Sequence, residues 1–251
     1  MKLLKGDCLE IMKYIPDESI NMILCDLPFG TTKNHWDSII NLDLLWKEYH
    51  RIGKYNCVYI LFSQMPFTVD LINSNRKNFR YEIIWHKNIS TGFLNVNKMP
   101  LKAHENILIF YRKLPVYNPQ KSQGIPYKKG FRPADSTTNY GHDKGNYAMS
   151  LDGTRFPNDV VDFKVVNTGG GLARKYDRHM HPTQKPVKLL EYLIRTYTNK
   201  GDTVLDSCFG SCSTGIACLN TNRNFIGIER DSNYFYKGRE WLLDEYRSNR
   251  C

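Results

Sequence analysis

Asn21-Met22-Ile23-Leu24-Cys25-Asp26-Leu27-Pro28-Phe29-Gly30 reads as a buried strand that stops at an acid, a rigid turn and an aromatic ring. The run from Met22 to Cys25 has no polar alternation, as expected of a strand covered on both faces. At the C-terminal end of such a strand, Asp26 and Phe29 face the crevice where open α/β sheets bind ligands. The same residues would also make an ordinary turn, since Asp and Pro favour turns and Phe29 could be core.

Further short apolar runs read as strands: YNCVYILF (55–62), YEIIW (81–85) and ENILIFY (105–111). Between the first two strands Leu42, Leu45, Trp46 and Tyr49 recur at helical spacing. Near the C-terminus a helix over Val187–Tyr197, a strand TVLDSC (203–208), a helix over Thr214–Asn220 and a strand NFIGIE (224–229) follow one another, and a last helix over about 232–247 closes the fold. This βαβ rhythm predicts a mostly parallel sheet flanked by helices.

The second decisive stretch is Asp206-Ser207-Cys208-Phe209-Gly210-Ser211-Cys212-Ser213-Thr214-Gly215, again strand, small residues, helix. Small residues let the backbone approach a ligand, and a helix N-terminus offers free amides and positive potential to a carboxylate. Glu229, at the end of the next strand, stands where an acid can hold both ribose hydroxyls of a nucleoside cofactor. A third stretch, His181-Pro182-Thr183-Gln184-Lys185-Pro186, opens a helix: Thr183 can cap it, Pro186 can occupy its first turn, and its polar groups could reach the same cofactor's methionine end.

Residues 115–180 break the rhythm with Gly124, Gly130, Gly141, Gly145, Gly153 and Gly169-Gly170-Gly171, and read as a loop-rich insertion with a functional surface. The chain of 251 residues carries a net charge of +10, and residues 112–188, with 14 Lys or Arg against 6 Asp or Glu, hold +8 of it. Tyr117, Tyr127, Phe131, Tyr140, Tyr147 and Phe156 interleave these cations, a combination suited to nucleic acid. Seven cysteines without a CxxC pair argue against a zinc site or disulfide framework and for reduced thiols in a cytoplasm. Met1 to Glu10 lacks the apolar run of a signal peptide, and no stretch is long and apolar enough to span a membrane.

Taken together these stretches resemble the β class of DNA amino-methyltransferases, small members of which occur in phages, prophages and restriction-modification systems. DLPFG resembles the family's catalytic Asp-Pro-Pro-Tyr element, HPTQKP its helix motif, and DSCFGSCSTG followed by GIE its cofactor loop and ribose acid. Lys5-Gly6-Asp7-Cys8 resembles its adenine-contacting segment, YEIIWHKN and HENILIFY its later strands, and GTTKNHWD follows the catalytic turn. The resemblance implies a circularly permuted Rossmann-like α/β methyltransferase fold: a catalytic part over 1–114, a target-recognition insertion over 115–180 and a cofactor-binding part over 181–251.

It also implies site roles. Asp26, Leu27, Pro28 and Phe29 would be catalytic; Asp7, Cys8, Asp26, Thr183, Lys185, Asp206, Phe209, Gly210, Ser211, Thr214 and Glu229 would bind S-adenosylmethionine; no metal is implied. The partner would be double-stranded DNA with its target base flipped out, and a homodimer is a compatible assembly. Asp at the first catalytic position leans toward adenine N6, whereas Ser leans toward cytosine N4, which is the alternative. Methylation of a protein glutamine is a more distant rival, against which the basic insertion argues. Leu27 replaces the family's first Pro, but that position acts through its backbone carbonyl. Cys212 replaces the second Gly of the cofactor loop; a positive φ or close cofactor approach there would cost about 1–3 kcal/mol and raise the alternative of a catalytically silent DNA-binding copy.

Overall fold

The computed structural model describes residues 1–30, 38–132, 146–166 and 184–249. They form two compact units, one of Met1–Asn118 with Asp159–Cys251 and one of Pro119–Asn158. The strands are β1 (Lys2–Lys5), β2 (Ile20–Asp26), β3 (Gly53–Ser63), β4 (Phe79–Thr91), β5 (Lys102–Tyr111), β6 (Ser122–Gln123), β7 (Tyr127–Arg132), β8 (Asn146–Ser150), β9 (Thr154–Arg155), β10 (Val160–Asp162), β11 (Thr203–Asp206) and β12 (Asn224–Glu229). The helices are α1 (Cys8–Met12), α2 (Leu42–Ile52), α3 (Phe67–Ser74), α4 (Val187–Tyr197), α5 (Ser213–Thr221) and α6 (Ser232–Ser248).

The larger unit is built on one sheet in the order β1-β12-β11-β2-β3-β5-β4-β10. Its pairs are parallel except for β5, which runs antiparallel to both β3 and β4. The expected mostly parallel α/β sheet is therefore present, and β2 pairs with β11 although Met22 and its partner Val204 stand 182 residues apart in sequence.

Alternation along the strands divides the core. Met22, Leu24, Val58, Ile60 and Phe62 pack on one face with α4, α5 and Trp241 of α6. Ile23, Cys25, Tyr59, Leu61, Leu205 and Ile228 pack on the other with α1, α2 and Phe67 and Leu71 of α3. Covering both faces is what an unbroken apolar run such as Met22–Cys25 requires. Side-chain caps set several helix starts: Asn41 Oδ1 accepts from Leu44 N at 3.1 Å before α2, and Asp231 Oδ1 accepts from Asn233 N at 2.8 Å before α6.

The start of α4 differs from the expectation. Pro186 is extended (φ −63°, ψ 129°) and stands just outside the helix as its N-cap, without a side-chain cap. Its carbonyl instead accepts from Leu189 N and Leu190 N at 3.1 and 3.2 Å. Thr183, the expected cap, lies outside the described residues with His181 and Pro182.

The smaller unit holds two antiparallel pairs, β6 with β9 and β7 with β8. Within it Lys121 Nζ lies 4.6 Å from the centre of the Phe156 ring and the Arg155 guanidinium 4.4 Å from that of Tyr127, so two aromatics read as base-stacking already hold a cation of their own unit. Tyr140 lies outside the described residues. The insertion was expected over 115–180, whereas the second unit ends at Asn158 and Val160–Asp162 pair with β4 in the main sheet. Three residues are too short for a periodic signal, which is why β10 could not be read from sequence.

Candidate active site

A cavity of about 700 Å³ opens where β2, β11 and β12 end. That volume suits a nucleoside-sized ligand. At the end of β11, burial pushes the Asp206 carboxyl up to about 6, even though it accepts from Thr214 Oγ1 at 2.6 Å and Cys208 N at 3.1 Å. Asp206 and Thr214 thus brace the loop against the first turn of α5. Ser207 fastens it to the neighbouring elements: its Oγ lies 2.6 Å from the Tyr49 hydroxyl and 3.3 Å from Cys25 Sγ.

The loop then passes Phe209, whose ring packs on Phe235 at 5.9 Å, and Gly210, whose N–H donates to Glu229 Oε2 at 2.9 Å. Glu229 Oε1 accepts from Asp231 N at 2.7 Å. Two backbone amides therefore orient this half-buried acid, and burial raises its pKa above the usual carboxylate range. Gly6 N donates to the Glu229 carbonyl at 3.0 Å, bringing Asp7 and Cys8 to the cavity wall; Asp7 also caps α1 through Leu9 N at 2.9 Å.

Cys212 has φ 67°, the conformation that glycine adopts most easily. Its side chain is fully buried and points away from the cavity: a Cβ placed at Gly215 would meet Cys212 Sγ at 2.6 Å, and one at Gly238 would meet Cys212 Cβ at 3.0 Å. Glycines on α5 and α6 make room for the thiol. Of the two costs weighed from sequence, the positive φ is present, but Cys212 is not part of the cavity lining.

At the end of β2, Asp26, Leu27, Pro28 and Phe29 all line the same cavity. The Leu27 side chain is buried, and the Phe29 ring rests on Phe67 at 5.4 Å, tilted by 30°. Gly30 ends the turn at φ 66°, where an added Cβ would stand 2.7 Å from Ile39. Burial pushes the Asp26 carboxyl up, while Lys185 pulls it back. Asp26 Oδ2 accepts from Lys185 Nζ at 2.5 Å, and Oδ1 is buried without a hydrogen-bond partner among the described residues.

Lys185 was expected beside the cofactor. It lines the cavity, but its ammonium stands between Asp26 and Glu105, 3.4 Å from Glu105 Oε2. Glu105 and Gln64 also line the cavity and were not read from sequence. The available signal was a charged residue two positions ahead of the buried run Ile107–Phe110. Of the expected site residues, Asp7, Cys8, Asp26, Leu27, Pro28, Phe29, Lys185, Asp206, Phe209, Gly210, Ser211, Thr214 and Glu229 all reach this one cavity, and Thr183 lies outside the described residues. Among the described residues no cluster of His, Cys, Asp or Glu is arranged to hold a metal ion, and no helix is long and apolar enough to cross a membrane.

A glycine-bearing loop, an acid one strand over and a second acid at the end of a central strand define the class of α/β proteins that bind a nucleoside across the strand ends. The chain belongs to the DNA methylase family of N6- and N4-type enzymes, which matches residues 20–240. It is 30% identical over 248 residues to the DNA adenine methyltransferase YhdJ of Escherichia coli (strain K12), covering 94% of this chain and 80% of that protein. In fold it is similar to the M1.HpyAVI–SAM complex, with a TM-score of 0.63 and 24% identity over 96% of this chain and 98% of that one. It is similar also to the cytosine-N4-specific PvuII DNA methyltransferase, with a TM-score of 0.67 and 17% identity over 98% of this chain and 90% of that one.

Proposed function

We propose that the protein transfers a methyl group from S-adenosylmethionine to the N6 amine of adenine in DNA. The observation that carries this reading is that Asp26, whose Oδ1 is buried without a hydrogen-bond partner among the described residues, lines the same cavity as the Gly210 loop and Glu229. The relationship to an adenine methyltransferase supports the choice of base.

The cavity suits the cofactor at both ends: Glu229, aimed by the Gly210 and Asp231 amides, is oriented to accept from ribose hydroxyls, and the Ser211 backbone ahead of α5 is placed to meet a carboxylate. When bound, S-adenosylmethionine supplies an electrophilic methyl on a sulfonium. The target amine is reached by extruding the base from the duplex, which costs a few kcal/mol. Phe29, backed by Phe67, stacks on the extruded ring and returns about 1–3 kcal/mol. Asp26 Oδ1 and the Leu27 carbonyl accept the two amine hydrogens and direct the nitrogen lone pair at the methyl. As the N–C bond forms and the S–C bond breaks, Asp26 stabilises the positive charge growing on nitrogen, and the surplus proton leaves to solvent.

The compact unit Pro119–Asn158 is the proposed reader of the DNA sequence, its cations placing the backbone. The test is Asp26→Asn with tritiated cofactor and nucleoside mass spectrometry of the DNA product. Loss of methyl transfer with an intact cofactor-induced melting shift is expected, with N6-methyladenine as the wild-type product. N4-methylcytosine alone would overturn the base assignment, and methylated protein with unmodified DNA would overturn the whole reading.

A further inference from the structure

Asp26 is one corner of a buried ionic cluster. Lys185 Nζ stands 2.5 Å from Asp26 Oδ2 and 3.4 Å from Glu105 Oε2. Glu105 Oε1 accepts from Lys87 Nζ at 2.5 Å and from Gln64 Nε2 at 3.1 Å. The side chains of Lys185 and Glu105 are 7% and 9% exposed. The four charges come from β2, β4, β5 and the segment ahead of α4, and they sum to zero. Taking each ion from water costs several kcal/mol, and apolar residues of similar size would serve packing as well or better. Stability alone gives no reason to place these charges at the mouth of β2.

A chemical reason follows from the geometry. An ammonium has three donors, and Lys185 facing Asp26 alone could engage both carboxylate oxygens. Its charge would also oppose the positive charge that transfer builds on the target nitrogen. Glu105 answers both problems by drawing Lys185 to the Oδ2 side and cancelling its charge. Lys87 in turn holds Glu105 ionised: burial opposes ionisation, but Lys185 and Lys87 outweigh it and keep this carboxyl below its usual range.

We propose that Glu105, steadied by Lys87 and Gln64, is a positioning residue for methyl transfer: it holds Lys185 on Oδ2 of Asp26 and so leaves Oδ1 as the acceptor for the target amine. The inference rests on the reading of Asp26 as that acceptor. Among the described residues the charged groups that act most on Asp26 are Lys185 ahead of α4, Glu105 on β5 and Lys87 on β4, with Asp206 on β11 also facing it. Glu105 pushes the Asp26 carboxyl up, and Lys87 pulls it down. Removing one or the other charge therefore moves Asp26 in opposite directions, a result that loosened packing does not produce.

The experiment measures kcat against pH for the full chain at saturating S-adenosylmethionine and unmethylated genomic DNA, with cofactor affinity and melting temperature recorded in parallel. Glu105→Gln is expected to lower kcat about 10- to 100-fold, as loss of an outer partner that orients a reacting group does, with cofactor affinity within about twofold of wild type. Its acid limb moves to lower pH, whereas that of Lys87→Gln moves to higher pH. The double variant Glu105→Gln/Lys87→Gln, neutral again, recovers part of the lost kcat. Shifts in the same direction, no shifts, or a double variant no better than Glu105→Gln would overturn the proposal. Should Glu105→Gln fold poorly, the upward shift in Lys87→Gln decides alone. Asp26→Asn separates the two levels: normal turnover there refutes the acceptor itself, whereas a silent Asp26→Asn beside an unaffected Glu105→Gln refutes only the role of Glu105.

Discussion

Glu229→Ala tests how the cavity holds its nucleoside. In the wild type the carboxylate is aimed by Gly210 N at 2.9 Å and Asp231 N at 2.7 Å, and each oxygen keeps a lone pair for a ribose hydroxyl. A hydrogen bond to a charged group contributes about 1.5–3 kcal/mol, so loss of one such bond weakens S-adenosylmethionine binding roughly 10- to 150-fold. At a ligand concentration of about 100 times the wild-type Kd, bound cofactor stabilises the wild type by about 2.7 kcal/mol; a variant weakened about 30-fold would gain only about 0.9 kcal/mol. The two amides released by the substitution line an open cavity and turn to water, so the unliganded protein loses little. Isothermal titration calorimetry gives the affinity, and melting with and without cofactor gives the increment. Because burial raises the Glu229 pKa, wild-type affinity also begins to fall at a higher pH than for an ordinary carboxylate as the solution is acidified. A variant that binds within twofold of wild type, or that loses stability without losing affinity, would refute the ribose role.

Burial lifts Asp206 from 3.8 to about 6, so the folded chain keeps a proton that the unfolded chain has lost, and stability falls as pH rises through that window. Asp206→Asn should flatten this slope and recover at most about 3 kcal/mol at pH 7, read from urea midpoints across pH; an unchanged slope would place the titration elsewhere. Cys212→Gly relieves a residue at φ 67° but empties a packed site, so stability should change by no more than about 1 kcal/mol and cofactor affinity not at all; a large gain in affinity would mean that the thiol reaches the cavity after all. DNA binding should weaken steeply with salt, and neutralising Lys121 and Lys128 together should reduce the slope of log K against log salt by about 2. A salt-independent affinity would remove the phosphates from the interface.

Much of this protein is legible in its sequence alone, because the signals are local. An apolar run that ends in Asp26-Leu27-Pro28-Phe29 and a small-residue loop that opens a helix each report on a few consecutive residues, and strand and helix periods report the rest. The βαβ order, the parallel sheet and the residues gathered at one cavity follow from such runs. Neither the sign of the φ angle at Cys212 nor the direction of its thiol was legible, since the space that receives it is made by Gly215 of α5 together with Gly238 on the distant helix α6. Lys185 was assigned to the cofactor from its neighbours in sequence. Its partners Asp26 and Glu105 lie far away along the chain and come into reach only when β2 and β5 flank β3 in the sheet. Local pattern therefore determined which residues stand at the strand ends. Only tertiary pairing decided which charge faces which, because Coulomb energies and hydrogen bonds depend on distances across the sheet that no run of consecutive residues encodes.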